Sequence, residues 1–264
     1  MLRTSISLLP ILAFMRHLHA VILLFLLLLA GPFLTFSQDW APGERELYER
    51  YVELRDVGHY TEAVSVAEKW VALCERYFGP THPDTATSLN NLAVLYQDIG
   101  DFAKAEHYFQ KSLAIIQEAL PADHPDIATT LNNFGLLYLA IGDFAKAEHQ
   151  FLQSLAINQK APRPDHAEIA TTLNKLGMLY DAMGDFANAE KHLLQSLDIL
   201  LKNLPSDHPE IAATFTNLGV HYLAIGDFAK AERHLLEGLE ISRKALPPNH
   251  PDIARISYCL GKLY

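Results

Sequence analysis

Apolar positions follow two different patterns along this chain. Residues 20–36 form an almost uninterrupted apolar run, and residues 1–38 contain no Asp or Glu. Beyond residue 40, apolar positions return with the i, i+3, i+4, i+7 spacing of amphipathic helices. The first clear example is Leu89, Leu92, Ala93 and Tyr96. The pattern therefore predicts an apolar leader followed by a body built from helices.

The helical body repeats every 42 residues. The histidines keep this interval at His82, His124, His166, His208 and His250, and the tyrosines keep it at Tyr96, Tyr138, Tyr180, Tyr222 and Tyr264. A fixed period of this size is typical of stacked repeat architectures. We predict a diverged unit at residues 40–81, full units at 82–123, 124–165, 166–207 and 208–249, and a truncated first helix at 250–264.

Each unit is predicted to contain two helices. A small residue in the apolar stripe of the first helix, such as Ala93 or Gly135, lets the second helix approach closely. A polar residue, a histidine and an acidic residue mark the start of each first helix. The polar residues are predicted N-caps, because their side chains can accept hydrogen bonds from the free amides of the first turn. They are Thr81, Asp123, Asp165, Asp207 and Asn249.

The stretch GDFAKAE joins the two helices at residues 100–106, 142–148 and 226–232, and GDFANAE does so at 184–190. Its glycine is predicted to end the first helix in the left-handed conformation, and its aspartate to cap the second helix. Its phenylalanine and its second alanine, Phe102 and Ala105 in the first copy, are predicted to pack inward, and its lysine and glutamate to face solvent. These near-identical copies indicate repeated geometry rather than repeated chemistry.

The apolar leader has two interpretations. Arg16 and His17, the apolar run and the small residues Thr35 and Ser37 together match a signal peptide cleaved before Gln38. The run is also just long enough for a short membrane-spanning helix, so a retained anchor is the alternative. Met15 is an alternative start for the chain. Either interpretation predicts an exported (periplasmic or extracellular) or membrane-anchored protein.

The body is acidic. Removing Arg3 and Arg16 from the 21 Lys and Arg leaves 19 against 31 Asp and Glu, a net charge of about −12. Such a surface repels nucleic acid phosphates, and the chain has no cluster of Lys and Arg, so no nucleic acid partner is predicted. The two cysteines, Cys74 and Cys259, are predicted to be buried packing residues.

Candidate chemistry is sparse. The chain has 13 histidines, but the repeated ones occur once per unit, and packed helices lie about 8–10 Å apart, several times a metal–ligand bond. Capping and surface roles are predicted for them. No HExxH motif, nucleophile elbow, phosphate-binding glycine loop or CxxC motif is present. We therefore predict no catalytic residue, no metal site and no cofactor.

These motifs resemble the tetratricopeptide repeat in its 42-residue form, found in kinesin light chains and bacterial arrays. The resemblance covers residues 40–264 and rests on L-x-x-[LF]-[AG]-x-x-Y followed by G-x-F-x-x-A, and on HPD-x-A-T-x-L-N-N. It implies an all-α, right-handed superhelical solenoid of antiparallel helix pairs. It also implies that the first helices line a concave groove that receives a protein or peptide segment.

The resemblance places the groove on the side of the first helices opposite the buried stripe. The predicted groove residues are Asn90, Asn91, Val94, Gln97, Asn132, Asn133, Leu136, Asn174, Lys175, Met178, Asn217 and Val220. Relatives that grip a terminal carboxylate use several groove Lys or Arg residues, whereas Lys175 is the single cation in this set. A mixed amide and apolar groove suits an extended, partly apolar segment better.

The groove asparagines have two interpretations. An amide both donates and accepts, so Asn90, Asn132 and Asn174 could pair with the backbone of a bound peptide. Alternatively, they bond between neighbouring helices and hold the stack in register. Asparagine has a low helix propensity, so its recurrence needs one of these reasons.

The sequence leaves three hypotheses about function. The first is a non-enzymatic scaffold that binds a peptide segment of a partner in the groove. The second is the regulatory region of a longer enzyme, for example one with a caspase-like CHAT protease domain, because the sequence stops inside a first helix. The third is a structural array that self-associates through its uncapped C-terminal end, since an uncovered apolar face favours association.

Overall fold

The structure, a computed structural model, describes residues 40–161, 164–248 and 250–263. The apolar leader lies outside these residues, and so do the predictions of a signal peptide, an anchor and an alternative start at Met15. The chain divides into two compact units, Met1–Pro42 and Gly43–Tyr264. All of the helices in the described residues belong to the second unit.

Eleven α-helices and no strands make up the described part of this unit. They are α1 (Glu44–Asp56), α2 (Tyr60–Tyr77), α3 (Pro83–Asp98), α4 (Phe102–Ala119), α5 (Pro125–Ile141), α6 (Phe144–Lys160), α7 (His166–Met183), α8 (Phe186–Asn203), α9 (Pro209–Ala224), α10 (Phe228–Ala245) and α11 (Pro251–Gly261). None of the helices in the described ranges combines the length and the apolar character that crossing a membrane requires.

The helices form a stack of pairs. Each odd-numbered helix from α1 to α9 packs most extensively on the helix that follows it, and each even-numbered helix then packs on the next odd-numbered helix. The first helices α3, α5, α7 and α9 also contact one another in succession. A single pair cannot bury its own apolar stripe, so stacking completes the core and produces a solenoid.

The turn inside each pair has the predicted geometry. Gly100 and Gly142 adopt φ angles of 80° and 81°, in the left-handed region that favours glycine. Asp101 caps the second helix by accepting a hydrogen bond from the backbone N–H of Lys104 at 3.2 Å, and Asp143 does the same with Lys146. The predicted roles of glycine and aspartate are confirmed.

Histidine, not the predicted polar residue, caps most first helices. The Nδ1 atoms of His82, His124, His208 and His250 accept from the backbone N–H two residues later, at 3.2–3.3 Å. Proline follows each of these histidines and restricts it to extended backbone, so the helix cannot begin earlier. The cap prediction is therefore wrong for Thr81, Asp123 and Asp207, whereas Asn249 lies outside the described residues.

The fourth unit lacks this proline, and its first helix is capped differently. Ala167 stands where the other units have proline, and α7 begins one residue earlier, at His166. Asp165 then caps the helix by accepting from the backbone N–H groups of Ala167 and Glu168 at 2.9 and 3.3 Å. The prediction for Asp165 is confirmed.

Two predictions about GDFAKAE are wrong. Its phenylalanine is not buried, because it is the first residue of its helix at the hairpin tip: Phe102 is 39% exposed and Phe186 is 40% exposed. Its glutamate accepts a hydrogen bond from the next unit, as when the Tyr138 hydroxyl donates to Glu106 at 2.8 Å. Its lysine is exposed, but Lys146 covers the Tyr138 ring, 4.8 Å from the ring centre.

The two cysteines differ in environment. Cys74 is fully buried, and its thiol donates to Glu44 at 3.4 Å. Burial, together with the charge of Glu44, raises the pKa of Cys74 to about 12, so the thiolate is disfavoured. Cys259 is partly exposed on α11. Burial is confirmed for Cys74 and is only partial for Cys259.

Candidate protein-binding face

The predicted groove residues lie on α3, α5, α7 and α9, and the sides of these four helices that carry them are here called the first-helix face. Their accessibility differs widely. Asn90 and Asn132 are buried, with 7% and 1% exposed, whereas Met178 and Val220 are each 40% exposed. The remaining predicted residues are half-buried: Asn91, Val94, Gln97, Asn133, Leu136, Asn174, Lys175 and Asn217.

Asparagines bridge neighbouring first helices. The side-chain amide of Asn133 donates to Asn90 at 3.3 Å, and that of Asn217 donates to Asn174 at 3.0 Å. The Asn91 side chain accepts a longer hydrogen bond of 3.5 Å from the Tyr51 hydroxyl of α1. These bonds give the asparagines an interhelical role. Peptide contact by them stays a prediction.

The contact between α5 and α7 differs, because Lys175 occupies the position that Asn133 and Asn217 have in the neighbouring units. Asn132 therefore donates to the Thr172 hydroxyl instead, at 2.9 Å. That hydroxyl in turn donates to the carbonyl oxygen of Glu168. The Oδ1 atom of Asn132 is buried, with no hydrogen-bond partner among the described residues.

The charge of Lys175 interacts with two carboxylates. Burial lowers the pKa of Lys175, and the charges of Glu168 and Glu210 oppose that shift. Burial raises the pKa of Glu210, partly offset by His208. Because Lys175 is half-buried and its charge is partly balanced, it is a poor anchor for a terminal carboxylate. The described residues of this face also contain no group of several lysines that could form such an anchor.

A histidine replaces leucine at one buried position of the first helices. His221 of α9 stands where the earlier units have the fully buried Leu95, Leu137 and Leu179. Its Nδ1 atom lies 2.6 Å from the Asp181 carboxylate of α7. Burial raises the pKa of Asp181, and the hydrogen bond and charge of His221 oppose that shift. The joint between α7 and α9 therefore contains a polar pair in place of apolar packing.

An apolar row runs along the first-helix face beside these asparagines. It consists of Val94, Leu136, Met178 and Val220, one from each of four successive first helices. The row becomes more accessible along the chain, because its first two members are half-buried and its last two are exposed. The sequence identified all four residues by their period, but not their different exposure.

Two repeated contacts were missed by the sequence interpretation. Ser112, Ser154 and Ser196 are buried, and each donates to a backbone carbonyl on the first helix of its own pair at 2.7–2.9 Å. The tyrosine-to-glutamate bonds between units were also missed. Both sets keep the 42-residue period, which was the available signal. In the described residues, no three His, Cys, Asp or Glu side chains group as metal ligands would.

The chain matches the tetratricopeptide repeat family profile in four overlapping segments, residues 52–118, 89–160, 126–202 and 168–244. Among curated proteins, none matches it significantly. Helical repeat proteins of this family typically act as non-catalytic scaffolds for protein interaction.

Solved structures share the fold. The nearly identical TPR-like repeats of a kinesin light chain described from Podosopora anserina are 28% identical, with a TM-score of 0.60, over 76% of this chain and 95% of that one. BtubC (BKLC) from P. vanneervenii is 24% identical, with a TM-score of 0.61, over 80% of this chain and 82% of that one. A Rap protein is 13% identical, with a TM-score of 0.69, over 82% of this chain and 61% of that one.

The 42-residue period, the stacked helix pairs and the family profile across residues 52–244 agree with one another. This chain belongs to the tetratricopeptide repeat family.

Proposed function

We propose that this chain is a non-enzymatic scaffold that binds an extended peptide segment of a protein partner on its first-helix face. The main support for the proposal is the apolar row of Val94, Leu136, Met178 and Val220. Met178 and Val220 are each 40% exposed. Exposed apolar side chains in a continuous row are typical of interaction sites.

The spacing of the row suits an extended ligand. Packed helices lie about 8–10 Å apart, so successive members of the row are separated by about that distance. A polyproline II segment has three residues per turn and a rise of about 3.1 Å per residue, which places same-face side chains about 9.3 Å apart. We therefore expect a ligand with an apolar residue at every third position.

Amides beside the row support the same ligand. Asn133 and Asn217 each use a side-chain N–H on another helix, which leaves the side-chain carbonyl oxygens of these half-buried residues to act as acceptors. An extended peptide has unpaired backbone N–H groups that need such acceptors. A Rap protein of the same fold has been crystallised with the Competence and Sporulation Factor, which is one precedent for a ligand on this scaffold.

The test is a peptide selection against the wild-type chain, followed by affinity measurements on a Met178→Ser/Val220→Ser variant. Burying each apolar side chain contributes about 1.5–3 kcal/mol, so we expect selected peptides to bind the variant at least about tenfold more weakly. Leu194→Ser/Leu236→Ser is the matched control, because these leucines are 42% and 48% exposed on the second helices. Equal affinities for the variant and the wild type would overturn the proposal.

A further inference from the structure

A second apolar row lies away from the first-helix face, at the tips of the helical hairpins. Each tip presents the residue before its glycine and the first residue of its second helix. Ile99 and Phe102 are 42% and 39% exposed, Met183 and Phe186 are 45% and 40% exposed, and Ile225 and Phe228 are 42% and 61% exposed. These pairs, with their counterparts in the other units, are here called the tip row.

The tip row is continuous over five successive hairpins. Ile141, 43% exposed, and the half-buried Phe144 complete it between α5 and α6. The diverged first unit retains it as well, with Val57 at 63% and Tyr60 at 36% exposed. Phe144 packs partly against the core, whereas the other members of the tip row are 36–63% exposed and leave much of their apolar surface open. A row of this length on a protein surface marks an interaction site.

We propose that the tip row docks an amphipathic helix of a partner protein, with apolar residues at heptad spacing and Lys or Arg on its flanks. The helix rises about 1.5 Å per residue, so seven residues advance about 10.5 Å, close to the step of about 8–10 Å between packed helices. One apolar position per heptad therefore meets one hairpin tip after another.

The backbone of the tips favours a helix over an added strand. A strand needs free main-chain groups at an edge, because main-chain hydrogen bonds supply its affinity. The tip amides are already used within each hairpin: the N–H of Asp101 donates to the Tyr96 carbonyl at 2.8 Å, and that of Gly100 donates to Gln97 at 2.9 Å. Asp143 and Gly142 repeat this arrangement. These tip N–H groups are therefore not available to a partner strand, whereas a partner helix satisfies its own backbone.

The charge of the tips favours a basic partner. Residues 56–62, 98–104, 140–146, 182–188 and 224–230 contain seven Asp or Glu and three Lys. Each lysine already lies near the aspartate of its own tip, as with Lys104 and Asp101 at 3.3 Å. Arg55, just outside these segments, lies 3.4 Å from Asp98. The net negative charge disfavours a second copy of this chain and an anionic lipid surface, because both would bring like charges together.

The test uses a synthetic 28-residue helical peptide with Leu at its a and d positions and Lys on both flanks, labelled for fluorescence anisotropy. We expect it to bind the wild-type chain and to lose at least about tenfold in affinity against Phe102→Ser/Phe186→Ser/Phe228→Ser. The matched control is Leu152→Ser/Leu194→Ser/Leu236→Ser, another row of similar exposure with the same period. This control and Met178→Ser/Val220→Ser should both bind like the wild type.

Two further measurements keep the result decisive. If the phenylalanine variant melts early, Ile99→Ser/Ile141→Ser/Ile225→Ser replaces it, since these residues precede the glycines and lie outside the caps of the second helices. A peptide with Glu in place of Lys should bind at least about tenfold more weakly. Equal binding by that peptide, or an equal loss in the leucine control, would overturn the proposal. It would also be overturned by tip-dependent dimerisation in sedimentation, or by tip-dependent binding to phosphatidylserine vesicles.

Discussion

At the residue scale, His234 shows how stacking changes the chemistry of a repeated position. Its ring lies between Tyr222, with ring centres 5.3 Å apart, and Phe215, with ring centres 5.7 Å apart. Only 4% of the residue is exposed. Burial lowers the pKa of His234, and the positive charges of Arg233 and Lys230 lower it further. The folded protein therefore holds this histidine in its neutral form more strongly than the unfolded chain does.

The first prediction is that His234→Tyr reduces the loss of stability on acidification. Between the folded and the unfolded pKa of His234, the unfolded chain binds more protons, so the free energy of unfolding falls as the pH drops through the ordinary histidine range. Tyrosine fits the site, because Tyr108 occupies the same position and stacks on Tyr96 with ring centres 5.5 Å apart. Urea unfolding at about pH 7.5 and about pH 5.5 measures the effect.

His192→Tyr is the control for this prediction. His192 occupies the same position one unit earlier and stacks on Tyr180, but it is only half-buried. We expect its substitution to leave the pH dependence closer to that of the wild type. If His234→Tyr loses as much stability between the two pH values as the wild type, the prediction fails.

At the element scale, the closeness of the two helices in a pair depends on one small residue. A Cβ atom added at Gly135 would lie 2.5 Å from the Phe151 ring, and one added at Gly219 would lie 2.5 Å from Cγ of Leu235. The sequence predicted this role from the position of glycine within the apolar stripe. It did not predict which side chain fills the space, because that residue lies on the other helix of the pair.

The second prediction is that Gly219→Ala destabilises the protein by about 1–3 kcal/mol, because overfilling a packed contact forces side chains from their rotamers. The free energy of unfolding in urea measures this. Gly261→Ala is the control, since a Cβ atom there meets nothing within 4 Å. The double variant Gly219→Ala/Leu235→Ala should cost less than the sum of its two single variants. A stability of Gly219→Ala equal to the wild type would contradict this account.

At the scale of the whole molecule, a repeated hydrogen bond joins successive units at four junctions in the described residues. The hydroxyls of Tyr138, Tyr180 and Tyr222 donate to Glu106, Glu148 and Glu190 at 2.8, 2.6 and 2.6 Å. Burial and the bonded glutamate raise the pKa of Tyr180 to about 12. The diverged first unit keeps the contact one helical turn later, where Tyr96 donates to Glu68 at 2.8 Å.

The third prediction is that the losses from Tyr138→Phe, Tyr180→Phe and Tyr222→Phe add up. Each substitution removes one hydrogen bond and should cost about 1 kcal/mol, and the triple variant about 3 kcal/mol. Additivity is expected because a solenoid unit interacts mainly with its neighbours. Urea unfolding measures the free energies. Tyr77→Phe, at a residue that is 58% exposed, should be neutral. If the triple variant loses much less stability than the sum of the three single losses, the three hydrogen bonds are not independent and the prediction fails.

The period, the helix pairs, the glycine stops and the aspartate caps could all be predicted from the amino-acid sequence. The glycine stops and the aspartate caps depend on residues within about one helical turn, and the period and the helix pairs follow from the regular return of these local signals along the chain. The sequence also contained the reason why the predicted N-caps were wrong. The proline after His82 confines that histidine to extended backbone, so His82 itself becomes the cap.

Only the tertiary structure decided which residues about forty positions apart contact one another. Packing paired Asn133 with Asn90, turned Asn132 to Thr172 where Lys175 interrupts the series, and placed His221 against Asp181. It also left Phe102 and its counterparts accessible at the tips. The physical reason is that hydrogen-bond pairing and burial depend on what the neighbouring unit presents, which the period of a single unit does not specify.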